Sequence, residues 1–260
     1  MKAAQARVLL TGASGGIGQA MTQALLRSGA QVLGVSRSPQ ESRQPGLSWV
    51  QADLTSPAGI SAIAEAARVQ QINVAVHAAG IPGFGRFEDL SAQQISAVLQ
   101  ANLAMPMLLT QALLPHLAQS SKAQIIFVGS ALGRIGLPGF SLYSASKAGL
   151  HGFVEALRRE LADSPVRVQL LAPRSTRTAF NDAQAQAYNE ATGTHSDSAE
   201  TVAQALIGLI ESESSERYIG WPERLAVRLN GAFPAWMDGS FKAHRRYLSS
   251  APTPLQPGER

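Results

Sequence analysis

VLLTGASGGIG, residues 8–18, decides the fold. The apolar run Val8 to Thr11 reads as a strand, and Ile17, Met21, Ala24 and Leu25 then recur with helical spacing. Strand, glycine turn and helix therefore follow one another without a gap. Gly12 permits a tight turn, Gly16 lets the backbone approach a pyrophosphate, and Gly18 allows close helix packing. The helix N-terminus adds unpaired N–H groups and positive potential, so the unit suits an anionic dinucleotide. A glycine cluster alone serves equally as a loop that needs positive φ angles. The strand before it and the helix after it are what favour the nucleotide reading.

Working outward, residues 8–11, 31–35, 48–52, 72–79, 124–129, 167–172 and 217–220 are short apolar or β-branched runs, each a strand candidate. Helical spacing lies between them, as at Leu108, Ala112 and Leu113. Continuous apolar strands such as VAVHAA and IIFVG suit a parallel sheet covered on both faces. The expected fold is α/β: a doubly wound parallel sheet of Rossmann type, about seven strands, with helices on both faces. Residues 1–221 form one expected domain, and 222–260 a basic amphipathic extension of it.

Composition narrows the function. The 260 residues include 23 glycines and 14 prolines, with 45% hydrophobic residues, as in an ordinary globular protein. There is no cysteine, and the five histidines lack ligand spacing, so no metal site is expected. No run approaches the roughly 18 apolar residues of a membrane span, and no signal peptide is visible, which predicts a cytoplasmic protein. The net charge of +4 arises after residue 216, where seven basic residues face three acidic ones. That segment can attract anionic surfaces or simply be solvated, and no nucleic-acid partner is implied.

The end of the second strand indicates the cofactor. A carboxylate about 20 residues past the loop would bond a ribose 2′-hydroxyl and repel a 2′-phosphate. Ser36-Arg37 stands there instead, and a guanidinium pairs with a 2′-phosphate, with Ser14 able to add a hydroxyl. NADP(H) is therefore expected over NAD(H), against the blander reading of Arg37 as a surface arginine.

Tyr143 and Lys147 are four residues apart, which places both on one helix face, and Ser130 closes the preceding strand. A tyrosine titrates near 10 and becomes a proton shuttle only when positive charge stabilises its phenolate. Lys147, helped by the oxidised nicotinamide, is the expected source of that charge, Tyr143 the general acid or base, and Ser130 the group that polarises a substrate oxygen. Each feature alone is commonplace; their joint occurrence behind the glycine loop is what favours catalysis.

Together these residues resemble the short-chain dehydrogenase/reductase family. Thr11-Gly12, Gly16 and Gly18 match its loop, and Asp53-Leu54, Ala79-Gly80, Asn102, Ser130 and the Tyr143 to Lys147 segment follow in its order. The likeness runs from about Arg7 to Thr178. It implies cofactor contacts from Gly12, Ser14, Gly16, Ile17, Gly18, Ser36, Arg37, Asp53, Leu54, Ala79, Gly80, Tyr143, Lys147, Pro173 and Thr178. It further implies that Asn102 supports a proton-relaying water, that Lys147 also bonds the nicotinamide ribose, and that Thr178 meets the nicotinamide end.

Two departures stand out. His77-Ala78 replaces the usual Asn-Asn, so a strand-bracing amide is lost and His77 reads as structural. Pro173-Arg174 replaces Pro-Gly, and Arg174 and Arg177 suit an anionic substrate, the cofactor pyrophosphate or plain solvation.

Residues 179–198 are polar and lie where relatives carry a mobile substrate cover. Leu132, Ile135, Leu137, Phe140 and Leu142 suit either an apolar pocket wall or the core, which leans the substrate toward a hydrophobic ketone or acyl chain. The segments opening at Pro222 and Pro234 suit pocket covering or a subunit interface better than a membrane surface. Residues 251–260 read as a disordered tail. The expected activity is hydride transfer between NADP(H) and a small carbonyl or alcohol substrate, by a homodimer or homotetramer. A non-catalytic NADPH-binding regulator and a nucleotide-dependent epimerase or dehydratase are the rivals. The first would need only the loop, and the second a larger C-terminal domain.

Overall fold

The computed structural model describes residues 1–42, 44–221 and 223–250. The C-terminal ten residues and Pro222, the proposed start of the extension, lie outside that set. The elements run β1 (Arg7–Thr11), α1 (Gly16–Arg27), β2 (Gln31–Ser36), β3 (Leu47–Gln51), α2 (Pro57–Val69), β4 (Val74–His77), α3 (Ala92–Leu99), α4 (Met105–Leu117) and β5 (Ala123–Val128). They continue with α5 (Ser141–Glu160), β6 (Val166–Ala172), α6 (Ala183–Ala191), α7 (Ala199–Ser212), β7 (Glu216–Tyr218), α8 (Glu223–Ala232), α9 (Pro234–Met237) and α10 (Lys242–Ser250).

The seven strands form one parallel sheet in the order β3-β2-β1-β4-β5-β6-β7. Strand alternation sorts side chains to two cores. Leu9, Ile125, Phe127 and Val168 face α2, α4 and α5 with Ile63, Leu113 and Val154. Val8, Leu10, Ile126 and Leu171 face α1 and α7 with Met21, Leu25, Leu206 and Leu209. Gln124 and Gln169 are buried in adjacent strands, and their amides donate to the Ile210 and Leu209 carbonyls, tying the end of α7 to the sheet.

The α4 stripe differs from its expected position. Leu108 is exposed, and Leu109, Leu113 and Leu117, an i, i+4, i+8 stripe, are the fully buried residues that pack on the sheet. The continuous helical stretch Ala92–Leu117 is long and apolar enough to cross a membrane, but those leucines pack it into the core.

Candidate active site

The carboxyl ends of the strands open on a cavity of about 960 Å³. Parallel strands and the break in strand order between β1 and β4 place it there. At one end lies the glycine loop, whose shape leaves no room for side chains. A Cβ at Gly18 would stand 2.0 Å from the Gly12 carbonyl oxygen, and Gly12, at φ +70°, would meet the Ala79 backbone at 2.9 Å. A Cβ at Gly16 would meet Thr178 at 2.8 Å. Thr178 thus sits over the loop as well as along the wall toward Tyr143. The lost Asn-Asn amide is replaced from β1: the Thr11 hydroxyl accepts the N–H groups of Ala78 and Ala79, each at 3.1 Å.

Gly12, Ser14, Gly16, Ile17, Gly18, Ser36, Arg37, Asp53, Leu54, Ala79, Gly80 and Pro173 all line the same cavity. Arg37 is exposed just past β2, and its charge helps hold the Asp53 carboxyl low, after the hydrogen bonds from the Thr55 N–H and hydroxyl. These residues fit an anionic dinucleotide: bare backbone and the α1 N-terminus for the pyrophosphate, with a cation beside the second strand.

Ser130, Tyr143 and Lys147 line the other end. Lys147 is buried, donates to the Val128 carbonyl at 2.9 Å, and lies 5.7 Å from the centre of the Tyr143 ring. Burial lowers its pKa to about 8, which leaves it mainly cationic at neutral pH. In the cofactor-free protein burial pushes the Tyr143 phenol up to about 12, and the facing Ser130 hydroxyl only partly opposes this. Desolvation disfavours the phenolate, so the resting side chain is protonated.

Asn102 is buried in the π-turn, and its side chain is fully engaged. Its Oδ1 accepts from the Ile81 N–H at 2.8 Å, and its Nδ2 donates to the Ile81 carbonyl at 3.0 Å and to the Ser146 hydroxyl at 3.2 Å. The amide clamps the loop after β4 to α5. Arg174 and Arg177 are also engaged. Arg174 forms a two-pronged pair with Asp197 at 2.8 and 3.1 Å, and Arg177 donates to the Ser196 carbonyl at 2.6 Å, bracing the segment after β6. Of the three roles open to them, solvation does not describe Arg174.

The polar stretch 179–198 contains a capped helix. The Asp182 carboxylate accepts from the Ala185 N–H at 2.8 Å, and Tyr188 is fully buried. The Tyr188 hydroxyl donates to the Pro138 carbonyl at 2.7 Å and stands 2.7 Å from the His244 Nδ1, which must then be the donor. Leu132, Ile135, Leu137 and Phe140 do line the cleft, whereas Leu142 is core. Phe180 stands edge-on to Tyr143 at 6.0 Å. Ala226, Met237, Phe241 and His244 complete the far wall, so the C-terminal extension roofs the cleft of its own chain.

The sequence reading overlooked His151, one turn beyond Lys147. It is buried, and a Cβ added at Gly129 or Gly133, on either side of Ser130, would stand 2.7 or 2.8 Å from its Nε2. Burial, then the charges of Arg134 and Lys147, lower its pKa to about 4. His77 is neutral as well: burial lowers it to about 3, where it stacks on Phe127 and meets the Thr110 hydroxyl at 3.0 Å. That is a structural placement.

A family model described as short chain dehydrogenase matches residues 6–189. The chain belongs to this family. Among its relatives in that family, the 3-oxoacyl-[acyl-carrier-protein] reductase FabG of Salmonella typhimurium is 28% identical over 80% of this chain and 90% of its own. The ketoacyl reductase HetN of Nostoc is 34% identical over 64% of this chain, which spans 62% of that protein. A short chain dehydrogenase from Burkholderia cenocepacia in complex with NADP shares the fold at TM-score 0.82 and 24% identity, over 93% of this chain and 99% of that one. Another from Burkholderia phymatum, in complex with NAD, reaches 0.81 at 19% identity, over 91% and 97%. The short chain dehydrogenase described here is accordingly an oxidoreductase of α/β fold.

Proposed function

We propose that the protein is an NADPH-dependent reductase of a carbonyl group borne on an apolar ketone or acyl chain. The observation that carries this reading is the shared cavity: a protonated Tyr143 beside Ser130 and Lys147, continuous with a glycine cradle and Arg37 at one end and an apolar wall at the other. Bound NADPH would supply the hydride.

The remaining chemistry belongs to the chain. Ser130 holds the carbonyl oxygen and stabilises the negative charge that builds on it. Tyr143 Oη gives its proton to that oxygen, which becomes a far stronger base than a phenolate as the alcohol forms. Burial keeps the phenol protonated at neutral pH, the form a general acid needs for reduction. The Lys147 ammonium, below the ring, stabilises the phenolate until a proton returns. Leu132, Ile135, Leu137, Phe140 and Phe180 would exclude water around an alkyl chain. The Salmonella and Nostoc relatives, both ketoacyl reductases, point to the same substrate class.

A purely regulatory NADPH binder would have no use for the serine, tyrosine and lysine at the cleft. An epimerase with a larger substrate domain is disfavoured because the helices after β7 form a roof. The test is NADPH consumption with 3-oxoacyl thioesters of increasing chain length, set against sugars and polar ketones. Turnover that rises with chain length supports the proposal, and turnover confined to polar substrates overturns it.

A further inference from the structure

From Arg217 onward seven basic residues face three acidic ones, an excess of +4 that equals the net charge of the whole chain. The structure gives the described part of this stretch, residues 217–221 and 225–249, two sides. The inner one is committed to the protein: Val227 is buried, Met237, Phe241 and His244 face the cleft, and Asn230 Nδ2 donates to the Arg134 carbonyl at 2.7 Å. Tyr247 packs edge-on to Tyr188 at 5.5 Å.

The outer side carries what a surface helix normally hides. Trp221 is 71% exposed, Trp236 74%, Phe233 63% and Leu225 44%. Ten large apolar side chains are exposed among the described residues, and these four fall within sixteen consecutive positions. On α8, Leu225, Arg228 and Ala232 follow at i, i+3 and i+7, a face turned away from buried Val227. Arg228, Lys242 and Arg245 are exposed on the same segment. Apolar side chains are thus deployed outward twice over, once toward the cleft and once toward the surroundings.

We propose that the outer face of residues 221–250 docks on an anionic lipid bilayer, so that the roof of the cleft rests against the lipid. Tryptophan is the side chain best suited to the headgroup region, having an apolar ring and one N–H donor. Cations on the same segment add attraction to anionic headgroups. A second copy of the chain is the poorer occupant, because a twofold contact would bring two segments of excess positive charge together. The inference goes beyond the proposed activity, since adsorption needs neither substrate nor turnover.

The test uses the full chain and vesicles of phosphatidylcholine, with or without phosphatidylglycerol. Co-sedimentation is expected with the anionic vesicles at low salt, with release at high salt. The triple variant Trp221→Ser, Phe233→Ser, Trp236→Ser and the pair Arg228→Glu, Lys242→Glu should each lower the bound fraction at least about 10-fold. Melting temperature and NADPH affinity should be unchanged. Should a variant fold poorly, wild-type tryptophan emission decides instead. Brominated phospholipid in anionic vesicles should quench Trp221 and Trp236, leaving Trp49, packed against Gly34 in the sheet, as the unquenched fraction. Absence of binding, equal binding to neutral vesicles at high salt, or no quenching overturns the proposal. So does a concentration-dependent dimer that the triple variant dissolves, since that outcome makes the face a contact between copies.

Discussion

The glycine loop and the substrate cleft sit at the carboxyl ends of the same sheet and are built by opposite means. The loop works by the absence of side chains: Gly12, Gly16 and Gly18 lie where any Cβ would collide with Ala79, Thr178 or Gly12 itself. Its whole recognition surface comes from one local strand, turn and helix. The cleft works through side chains that converge from β5, α5, the segment after β6, and three helices beyond β7. Backbone geometry suits what every dinucleotide shares, whereas side-chain walls give a cleft its own shape and polarity. Damage to the loop should therefore act on binding, and damage to the cleft on chemistry and specificity.

The largest expected effect separates the two. Tyr143→Phe should lower kcat by about 1,000-fold while NADPH fluorescence titration shows unaltered affinity. A parallel loss of cofactor affinity would mean that the two regions are not independent. Gly18→Val attacks the other side: its Cβ has nowhere to go beside the Gly12 carbonyl, so NADPH affinity should fall on the order of 100-fold or more. Retained affinity would show that the loop tolerates rebuilding.

Arg37→Asp should shift the ratio of kcat/KM for NADPH over NADH toward NADH by roughly 10- to 100-fold, as expected for loss of a charge-assisted contact and gain of a like charge. An unchanged ratio removes Arg37 from cofactor choice.

The cleft should also reveal itself by its cost to stability. Lys147 has a folded pKa near 8 against about 10.5 unfolded, so the unfolded chain holds the extra proton between those values. Stability should rise with pH across that window. Lys147→Met should raise the melting temperature of the cofactor-free protein below pH 8, with the gap closing toward pH 10.5, while activity is lost. The sign is the same for His77 and His151, which are held neutral by burial to about 3 and 4. Stability should fall as pH drops from 6.5 toward 4, by roughly 1.4 kcal/mol per pH unit for each ring. His151→Leu should flatten that slope by about half in urea titrations.

How much of this was legible in the sequence follows from how local each signal is. The loop, the Tyr143 and Lys147 pair four residues apart, and the apolar strands depend on neighbours in the chain, so spacing alone exposes them. The exposure of Leu108 did not follow from spacing, because the apolar run from Met107 to Leu114 allows more than one stripe, and packing selects Leu109, Leu113 and Leu117. Nothing local marks Thr11 as the brace for Ala78 and Ala79, or Asp197 as the partner of Arg174, since those pairs lie 67, 68 and 23 residues apart. His151 escaped notice because a histidine one turn past Lys147 looks like any helical residue until Gly129 and Gly133 are seen against its ring.

Sequence by itself determined the order of strands and helices, the glycine cradle and the placing of Tyr143 and Lys147 on one helix face, all of them set by periodicity and steric necessity within short stretches. Tertiary structure decided which form of Tyr143 rests in the cleft, because desolvation depends on everything packed around the ring. It also decided that α6 and α8 to α10 close over the substrate end, through contacts such as Tyr188 to Pro138 and His244 that no spacing in the chain encodes.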